Sequence, residues 1–159
     1  MRVKTYLRKG AGNKKFVTIV KTITDALGNI DGSTRIKEAL LEELTKNRSN
    51  LGAAWQDGDQ LLNILGKNSD HRFDIYNWET KTAIEVEESE VKYVCKDFVK
   101  LAIGARRGRV ANAMLVCPIA YGGKTLKRPV AIYTNAVSIS HFMSDFLWMK
   151  NLAIIGYEK

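Results

Sequence analysis

Two long stretches of the chain repeat apolar residues at the spacing of an α-helix. The first predicts a helix over residues 36–47, after turn and cap residues at 31–33, with an apolar side of Ile36, Leu40, Leu41 and Leu44. The second predicts a helix over residues 88–106, with an apolar side of Val91, Val94, Cys95, Phe98, Leu101 and Ala102. Weaker patterns predict a short helix over residues 57–65 and a last helix over residues 139–152. Residues 16–27 mix β-branched residues with a weak helical period, so their element type stays open.

Extended runs lie between these helices. Residues 72–78 and 81–88 are separated at Glu79 and Thr80, which predicts a β-hairpin. Residues 111–120 and 129–134 are apolar runs typical of buried strands. Strands that alternate with helices indicate an α/β protein. No repeat or Pro/Ser-rich linker interrupts the chain, so we expect one domain with a basic, mobile start over residues 1–15.

Composition supports this picture and excludes several classes of protein. A chain of 159 residues that is 45% apolar and 26% charged can bury a core of its own. Cys95 and Cys117 show no metal-binding or disulfide spacing and are typical of a reducing compartment. No apolar run is long enough to span a membrane, and the charged start lacks the features of a secretory signal. We therefore expect a cytoplasmic protein without a membrane partner.

Charge is distributed unevenly along the chain, whose formal net charge is +8. Residues 1–21 hold seven basic side chains and no acid, and residues 91–128 hold nine basic side chains and one acid. Between them, residues 70–90 hold seven acids and two basic side chains. A basic surface suits a phosphate backbone, and a cluster of acids suits a divalent cation that acts on phosphodiesters. The alternative is that these runs are only solvated faces.

The predicted hairpin carries the candidate chemistry. Side chains alternate along a strand, so Ala83, Glu85 and Glu87 share one face, while Ile84, Val86 and Glu88 share the other. Asp74 stands alone in an apolar run, where burial is costly unless the carboxylate meets a cation or hydrogen-bond donors. Cross-strand neighbours lie about 5 Å apart. A suitable register would therefore let Asp74 and Glu85 share one Mg²⁺, whereas the alternative is a solvent-facing row of acids.

These residues resemble a known family. Phe73-Asp74, then Ile84-Glu85-Val86-Glu87, then a helix and an apolar strand over residues 113–118 are similar to the core of the PD-(D/E)xK, or restriction-endonuclease-like, nucleases. The resemblance covers residues 34–134 and implies a mixed sheet flanked by helices. It implies that Asp74 and Glu85 hold the metal. Most members have lysine at the position of Glu87, whereas BamHI-type enzymes have glutamate there. The resemblance implies that Glu87 would orient or deprotonate the attacking water. Glu43 would be a further metal ligand.

The resemblance implies an Mg²⁺-dependent or Mn²⁺-dependent DNA endonuclease, most like a small type II restriction enzyme that cuts double-stranded DNA as a homodimer. We expect DNA contacts from Lys92 and Lys96 on one helix and from a cluster around Gly108 that consists of Arg106, Arg107 and Arg109. Three alternatives stay open. They are a junction-resolving or homing endonuclease on the same fold, a non-catalytic DNA-binding protein, and an interaction protein whose charge serves only solubility.

Overall fold

A computed structural model of the chain describes residues 1–31, 35–46, 55–58, 72–88, 91–120, 131–144 and 148–158. The strands of this part are β1 (Arg2–Lys9), β2 (Trp55–Asp57), β3 (Ile75–Asn77), β4 (Thr82–Val86), β5 (Asn112–Pro118) and β6 (Asn151–Glu158). Its helices are α1 (Lys14–Asn29), α2 (Ile36–Lys46), α3 (Val91–Arg106) and α4 (Ile132–Phe142).

All six of these strands form one mixed sheet in the order β1-β6-β5-β4-β3-β2. The three central strands, β6, β5 and β4, run parallel, and the outer strands pair antiparallel to their neighbours. Every residue of β5 is buried. Helices cover both faces of this parallel strand, so it is apolar from Ala113 to Pro118 rather than at alternate positions.

The sheet separates two cores. One core combines α1 and α2 with Ile84 and Met114, and the other combines α3 and α4 with Ala83 and Leu115. The alternation predicted for the fourth strand is therefore confirmed: Ile84 and Val86 face α1 and α2, and Ala83 faces α3. Glu85 lies on the α3 face with Ala83. The resulting α/β fold, a mixed sheet between helices in a single domain, is the predicted restriction-endonuclease-like architecture.

Several predicted elements are confirmed with small changes in their bounds. They are the helices α2 and α3, the strand β5, and the β3–β4 hairpin, whose strands are shorter than predicted and are joined by residues 78–81. Residues 16–27, left open from the sequence, belong to α1. Asn13 caps this helix because its side-chain oxygen accepts a hydrogen bond from the backbone N–H of Phe16 at 3.2 Å.

Two predictions near the C-terminus are wrong. Residues 129–134 were expected to form a strand, but α4 begins at Ile132 and buries Ile132, Ala136 and Ser140, which lie on one helical face. Residues 139–152 were expected to form a helix, but α4 ends at Phe142 and the segment from Asn151 forms β6. Pairing with β1 and β5 decides the structure of β6, because both sides of the strand satisfy their backbone groups in the sheet.

The two remaining differences concern shorter segments. Within the basic start expected to be mobile, Arg2–Lys9 forms β1 and pairs with β6. The predicted helix over residues 57–65 begins at a residue that belongs to β2, and residues 59–65 lie outside the described part of the chain. Within the described ranges, no helix has both the length and the apolar character needed to cross a membrane.

Candidate active site

Asp74 and Glu85 come together where β3 begins and β4 ends. The hairpin pairs Ile75 with Ile84, so the residue before Ile75 lies beside the residue after Ile84. The Asp74 side chain extends past this point, and its Oδ2 accepts a hydrogen bond from the backbone N–H of Val86 at 2.7 Å. The local sequence thus places two carboxylates at one end of the hairpin.

Glu85 lies under α3 and is almost completely buried, with 1% of its surface exposed. Its Oε2 accepts a hydrogen bond from the ammonium group of Lys100, which α3 directs toward the sheet. The same ammonium group donates to the backbone carbonyl of Arg72 at 3.2 Å and lies 3.4 Å from Oδ1 of Asp97. The other oxygen of Glu85, Oε1, is buried and has no hydrogen-bond partner among the residues that the structure describes. Since an unsatisfied buried oxygen is costly, this atom is suited to a further cation or donor.

Burial and neighbouring charges shift the pKa values of Glu85, Asp97 and Lys100. Burial raises the pKa of Glu85 well above its usual range, although Lys100 opposes the shift and Asp74 adds to it. Burial also raises the pKa of Asp97 to about 6, again opposed by Lys100 and assisted by Glu87. Burial alone would lower the pKa of Lys100, but Glu85, Asp97 and Asp74 raise it above its ordinary value. In the absence of a metal, Lys100 is therefore the counter-charge of these carboxylates.

Glu87 and Glu88 leave the end of β4 on opposite sides. Glu87 is buried on the α3 side, and its charge adds to the effect of burial in raising the pKa of Asp97 and of Cys117. Glu88 lies on the other side, where its Oε1 accepts a hydrogen bond from the backbone N–H of Ile36 at 3.1 Å and so binds the N-terminus of α2. Glu87 belongs with the carboxylate cluster, whereas Glu88 supports α2.

Comparison with known proteins identifies the family. Residues 14–157 match the model of a family described as "Putative halobacteria restriction endonuclease". The chain belongs to this family. Among curated proteins, no match was found. Membership in a restriction-endonuclease family supports the nuclease resemblance that Asp74, Glu85 and the surrounding elements indicate.

The first turn of α2 reaches the same end of the sheet. The ammonium group of Lys37 lies 3.2 Å from Oδ1 of Asp57 and 4.0 Å from Oδ1 of Asp74. Glu43, expected as a further metal ligand, lies almost two turns later on this helix, and its Oε1 accepts a hydrogen bond from Lys46 at 3.0 Å. The α2 side chain that contacts Asp74 is therefore Lys37.

The expected DNA-binding residues occupy two regions of α3 and the turn after it. Lys92 and Lys96 are exposed on the first half of the helix, toward the end of β4 that carries the acids. Arg106 lies at the other end of the helix, with its guanidinium 5.0 Å from the ring centre of Trp148. Arg107 and Arg109 follow in the next turn, close to Lys81 at the start of β4. The two lysines thus lie on the turns of α3 before Lys100, whereas the arginines lie at the other end of this helix, beside the β3–β4 turn.

The donor set fits a hard divalent cation. Asp74 and Glu85 offer oxygen ligands, and the orphaned Oε1 of Glu85 supplies a site for a cation without the loss of an existing hydrogen bond. Within the described ranges, no group of three or more His, Cys, Asp and Glu residues has metal-binding geometry. Two carboxylates suit Mg²⁺, which is usually held by one or two protein carboxylates and keeps several water ligands.

The sequence reasoning missed three side chains of this cluster. The spacing of Lys92, Lys96 and Lys100 at i, i+4 and i+8 predicts one lysine face, although each step of four residues rotates a helix position by about 40°. Lys100 is therefore rotated by about 80° from Lys92, enough to turn it toward the sheet. Asp97 is the single acid in a long basic segment, and its isolation was the available signal. No sequence signal marked Lys37.

Proposed function

We propose that this protein is a metal-dependent DNA endonuclease that hydrolyses phosphodiester bonds in double-stranded DNA, most like a small type II restriction endonuclease. The observation that carries the proposal is the pair of Asp74 and Glu85 at one end of the sheet, where Oε1 of Glu85 is buried without a partner in the described part of the chain. Membership in a restriction-endonuclease family supports the same class of activity and DNA as the substrate.

In this proposal Asp74 and Glu85 hold Mg²⁺ or Mn²⁺. When bound, the metal ion would neutralise charge on the scissile phosphate and lower the pKa of a coordinated water. Glu87, held at the end of β4, orients the attacking water or accepts its proton. Lys100 supplies the fixed positive charge that is absent from position 87, and its contact with Oε2 opposes the rise in the pKa of Glu85 that burial causes.

The surrounding side chains support DNA contact at this end of the sheet. Lys92 and Lys96 are exposed on the first half of α3, two turns and one turn before Lys100, and would bind backbone phosphates. The formal net charge of +8 would draw DNA toward the protein in a salt-dependent manner. Phosphate contacts position the duplex near Asp74 and Glu85 but do not by themselves select a base sequence.

We further propose that the enzyme acts as a homodimer, because cleavage of both strands at a twofold site needs two active sites. An apolar groove between α3 and α4 supports this assembly. Its volume is about 560 Å³, and it is lined by Cys95, Ser138, Ile139, Phe142 and Met143. Phe142 is 89% exposed, which is typical of a side chain that a partner covers.

A second candidate function is DNA binding without cleavage. Lys100 favours this candidate, because the ammonium group already neutralises Glu85 and so provides a structural role for the buried acid without any metal. The two candidates differ in the effect of a metal. A nuclease needs Mg²⁺ or Mn²⁺ to break the DNA chain, whereas the binding protein would bind DNA in the same way with either ion or with neither.

Cleavage of supercoiled plasmid and of a four-way junction tests the proposed function. Both substrates are incubated with Mg²⁺, with Mn²⁺ or with a chelator, and the variants are Asp74→Asn, Glu85→Gln and the exposed control Glu38→Gln. We expect metal-dependent linear products from plasmid, lost in the first two variants and retained in the control. Preferential cutting of the junction would indicate a resolving enzyme. Salt-sensitive binding without cleavage under any metal would instead establish the DNA-binding protein.

A further inference from the structure

A second polar cleft lies at the end of β4 that is remote from Glu85. It has a volume of about 390 Å³ and is lined by Tyr76, Trp78, Lys81, Arg107, Gly108 and Arg109. The β3–β4 turn supplies one wall, and the segment after α3 supplies the other. We call it the Trp78 cleft. Lys81 directly precedes β4 and Glu85 lies four residues later, so roughly 13 Å, about four strand steps, separates the cleft from the candidate active site.

Hydrogen bonds hold the two walls of the Trp78 cleft together. The hydroxyl of Tyr76 donates to the backbone carbonyl of Arg109, and the ammonium group of Lys81 donates to the carbonyl of Gly108 at 3.2 Å. The backbone N–H of Ala111 donates to the carbonyl of Lys81 at 2.9 Å. These contacts join segments about 30 residues apart in sequence, so the cleft is preformed rather than created by a chance approach of side chains.

The lining chemistry suits an anion that carries an aromatic group. Among the described residues that line the cleft are three basic side chains, Lys81, Arg107 and Arg109, and no carboxylate. Trp78 is 44% exposed, while its ring lies edge-on to Tyr76 at 5.0 Å and its Nε1 donates to Gln56 at 3.1 Å. Two contacts thus hold the indole ring while much of its surface faces solvent. Cations beside an aromatic platform are what proteins use to bind a phosphate and its attached base.

Lys81 has a backbone conformation that its side chain disfavours. Its φ is +50°, in the left-handed region where glycine and asparagine are favoured. Gly108, across the cleft, also has a positive φ of +69°, but as a glycine it is not strained. Glycine at position 81 would relieve the strain but remove the ammonium group from the cleft. A strained lysine aimed into a polar cleft indicates a function for its side chain.

We propose that the Trp78 cleft binds one unpaired nucleotide of the DNA, with its phosphate at Lys81 and Arg109 and its base against Trp78. The identity of the ligand as DNA rests on the proposed function. About four base-pair steps of 3.4 Å along the axis of a DNA duplex span the distance from the cleft to the active site, so one DNA molecule can contact both. The cleft thereby favours DNA that is locally unpaired or distorted near the cleaved phosphate.

Binding of hexathymidylate in the presence of a chelator tests this proposal apart from catalysis. Tryptophan fluorescence and anisotropy of a labelled oligonucleotide would be followed for the full chain and for Lys81→Gly, Arg109→Ala and Trp78→Phe. The control is Lys4→Ala, which removes the same charge from β1 at the opposite side of the sheet. We expect each cleft variant to bind about tenfold more weakly. Lys81→Gly should also lower the salt slope of binding by about 0.7 and unfold no more easily than the parent chain.

Equal affinity of the parent and the three cleft variants would overturn the proposal, and so would an equal loss in Lys4→Ala. Loss of oligonucleotide binding only in variants that also melt at lower temperature would overturn it as well. Plasmid cleavage is measured separately with Mg²⁺. Binding of hexathymidylate that depends on the cleft residues, without plasmid cleavage, would support the cleft proposal and refute the proposed nuclease activity. Plasmid cleavage together with hexathymidylate binding that the cleft substitutions leave unchanged would support the nuclease activity and refute the cleft proposal.

Discussion

Glu85 and Lys100 bring opposite charges into the interface between β4 and α3, where both lose contact with water. A buried pair of this kind contributes little compared with apolar residues, but removal of one partner leaves an uncompensated charge and typically costs 3–5 kcal/mol. The pair therefore contributes little to the free energy of unfolding, and a function that needs a charged group at that position explains it better. A cation bound at Oε1 of Glu85 would add charge on the side away from Lys100.

Relocation of the lysine tests the role of Lys100. We expect Lys100→Met to reduce cleavage about 100-fold, because the fixed cation beside the reacting phosphate is lost. Adding Glu87→Lys to that variant places an ammonium group on the same strand face as Glu85 and should restore part of the activity. The measurement is the single-turnover rate of plasmid cleavage, with Mg²⁺-induced thermal stabilisation as a second readout. Full activity of Lys100→Met, in a folded protein, would refute the role.

Asp97 makes the stability of the metal-free protein depend on pH. Its pKa is raised from 3.8 to about 6 on folding, so between these values the folded state holds a proton that the unfolded state has lost. The contribution to stability is complete below pH 3.8 and is lost as the pH rises to about 6. We expect the free energy of unfolding of the parent chain to fall by up to about 3 kcal/mol across this range, and we expect this fall to be absent in Asp97→Asn. Urea unfolding with a chelator measures both proteins. A difference between the two proteins that stays constant with pH would contradict the assignment.

At the scale of elements, the contact between α3 and the segment before β3 positions Asp74. A Cβ at Gly104 would lie 2.7 Å from Cζ of Phe73 and 2.7 Å from Cγ2 of Val110, closer than real side chains approach. Phe73 is buried and immediately precedes Asp74. The missing side chain of this glycine therefore lets the helix come close enough to fix the start of the hairpin.

Alanine at this position should both destabilise the fold and displace the acid. We expect Gly104→Ala to lower the free energy of unfolding by about 1–3 kcal/mol through overpacking, and to reduce metal-dependent cleavage. Gly28→Ala is the matched control, because a Cβ at Gly28 in α1 meets nothing within 4 Å, and it should stabilise the protein by about 0.5–1 kcal/mol. Urea unfolding and plasmid cleavage measure the two effects. A Gly104→Ala protein as stable and active as the parent would show that the close packing does not position Asp74.

The elements that the sequence predicted correctly are those whose pattern is local. The apolar spacing in α2 and α3 and the paired runs around residues 79–80 are each decided within one segment. The register that brings Asp74 beside Glu85 stayed open from the sequence and is fixed by the pairing of β3 with β4. The predictions for the segments of β6 and α4 were wrong because both segments combine apolar and β-branched residues. Only pairing with β1 and β5, or packing on the sheet, selects between strand and helix there. Lys100 could not be assigned to the site because its partner, Glu85, lies on another element.

At the scale of the whole molecule, the apolar groove at Phe142 makes the assembly testable. We expect Phe142→Asp to convert the proposed dimer into a monomer, since a charge in an apolar interface is costly to desolvate. Val17→Asp is the control, because Val17 is an exposed apolar residue on α1, across the sheet. Sedimentation velocity over a range of protein concentrations measures both. A parent chain that stays monomeric at micromolar concentration, or a dimer unaffected by Phe142→Asp, would contradict this interface.

The central claim is that Asp74 and Glu85 bind the metal ion that cleavage requires. Its most direct test is to titrate the parent chain, Glu85→Gln and Glu38→Gln with Mn²⁺ in a calorimeter. Plasmid cleavage is measured on the same samples. We expect Mn²⁺ binding and cleavage in the parent and in Glu38→Gln, and the loss of both in Glu85→Gln. Cleavage that persists in chelator, or Mn²⁺ binding and cleavage that survive in Glu85→Gln, would contradict the account.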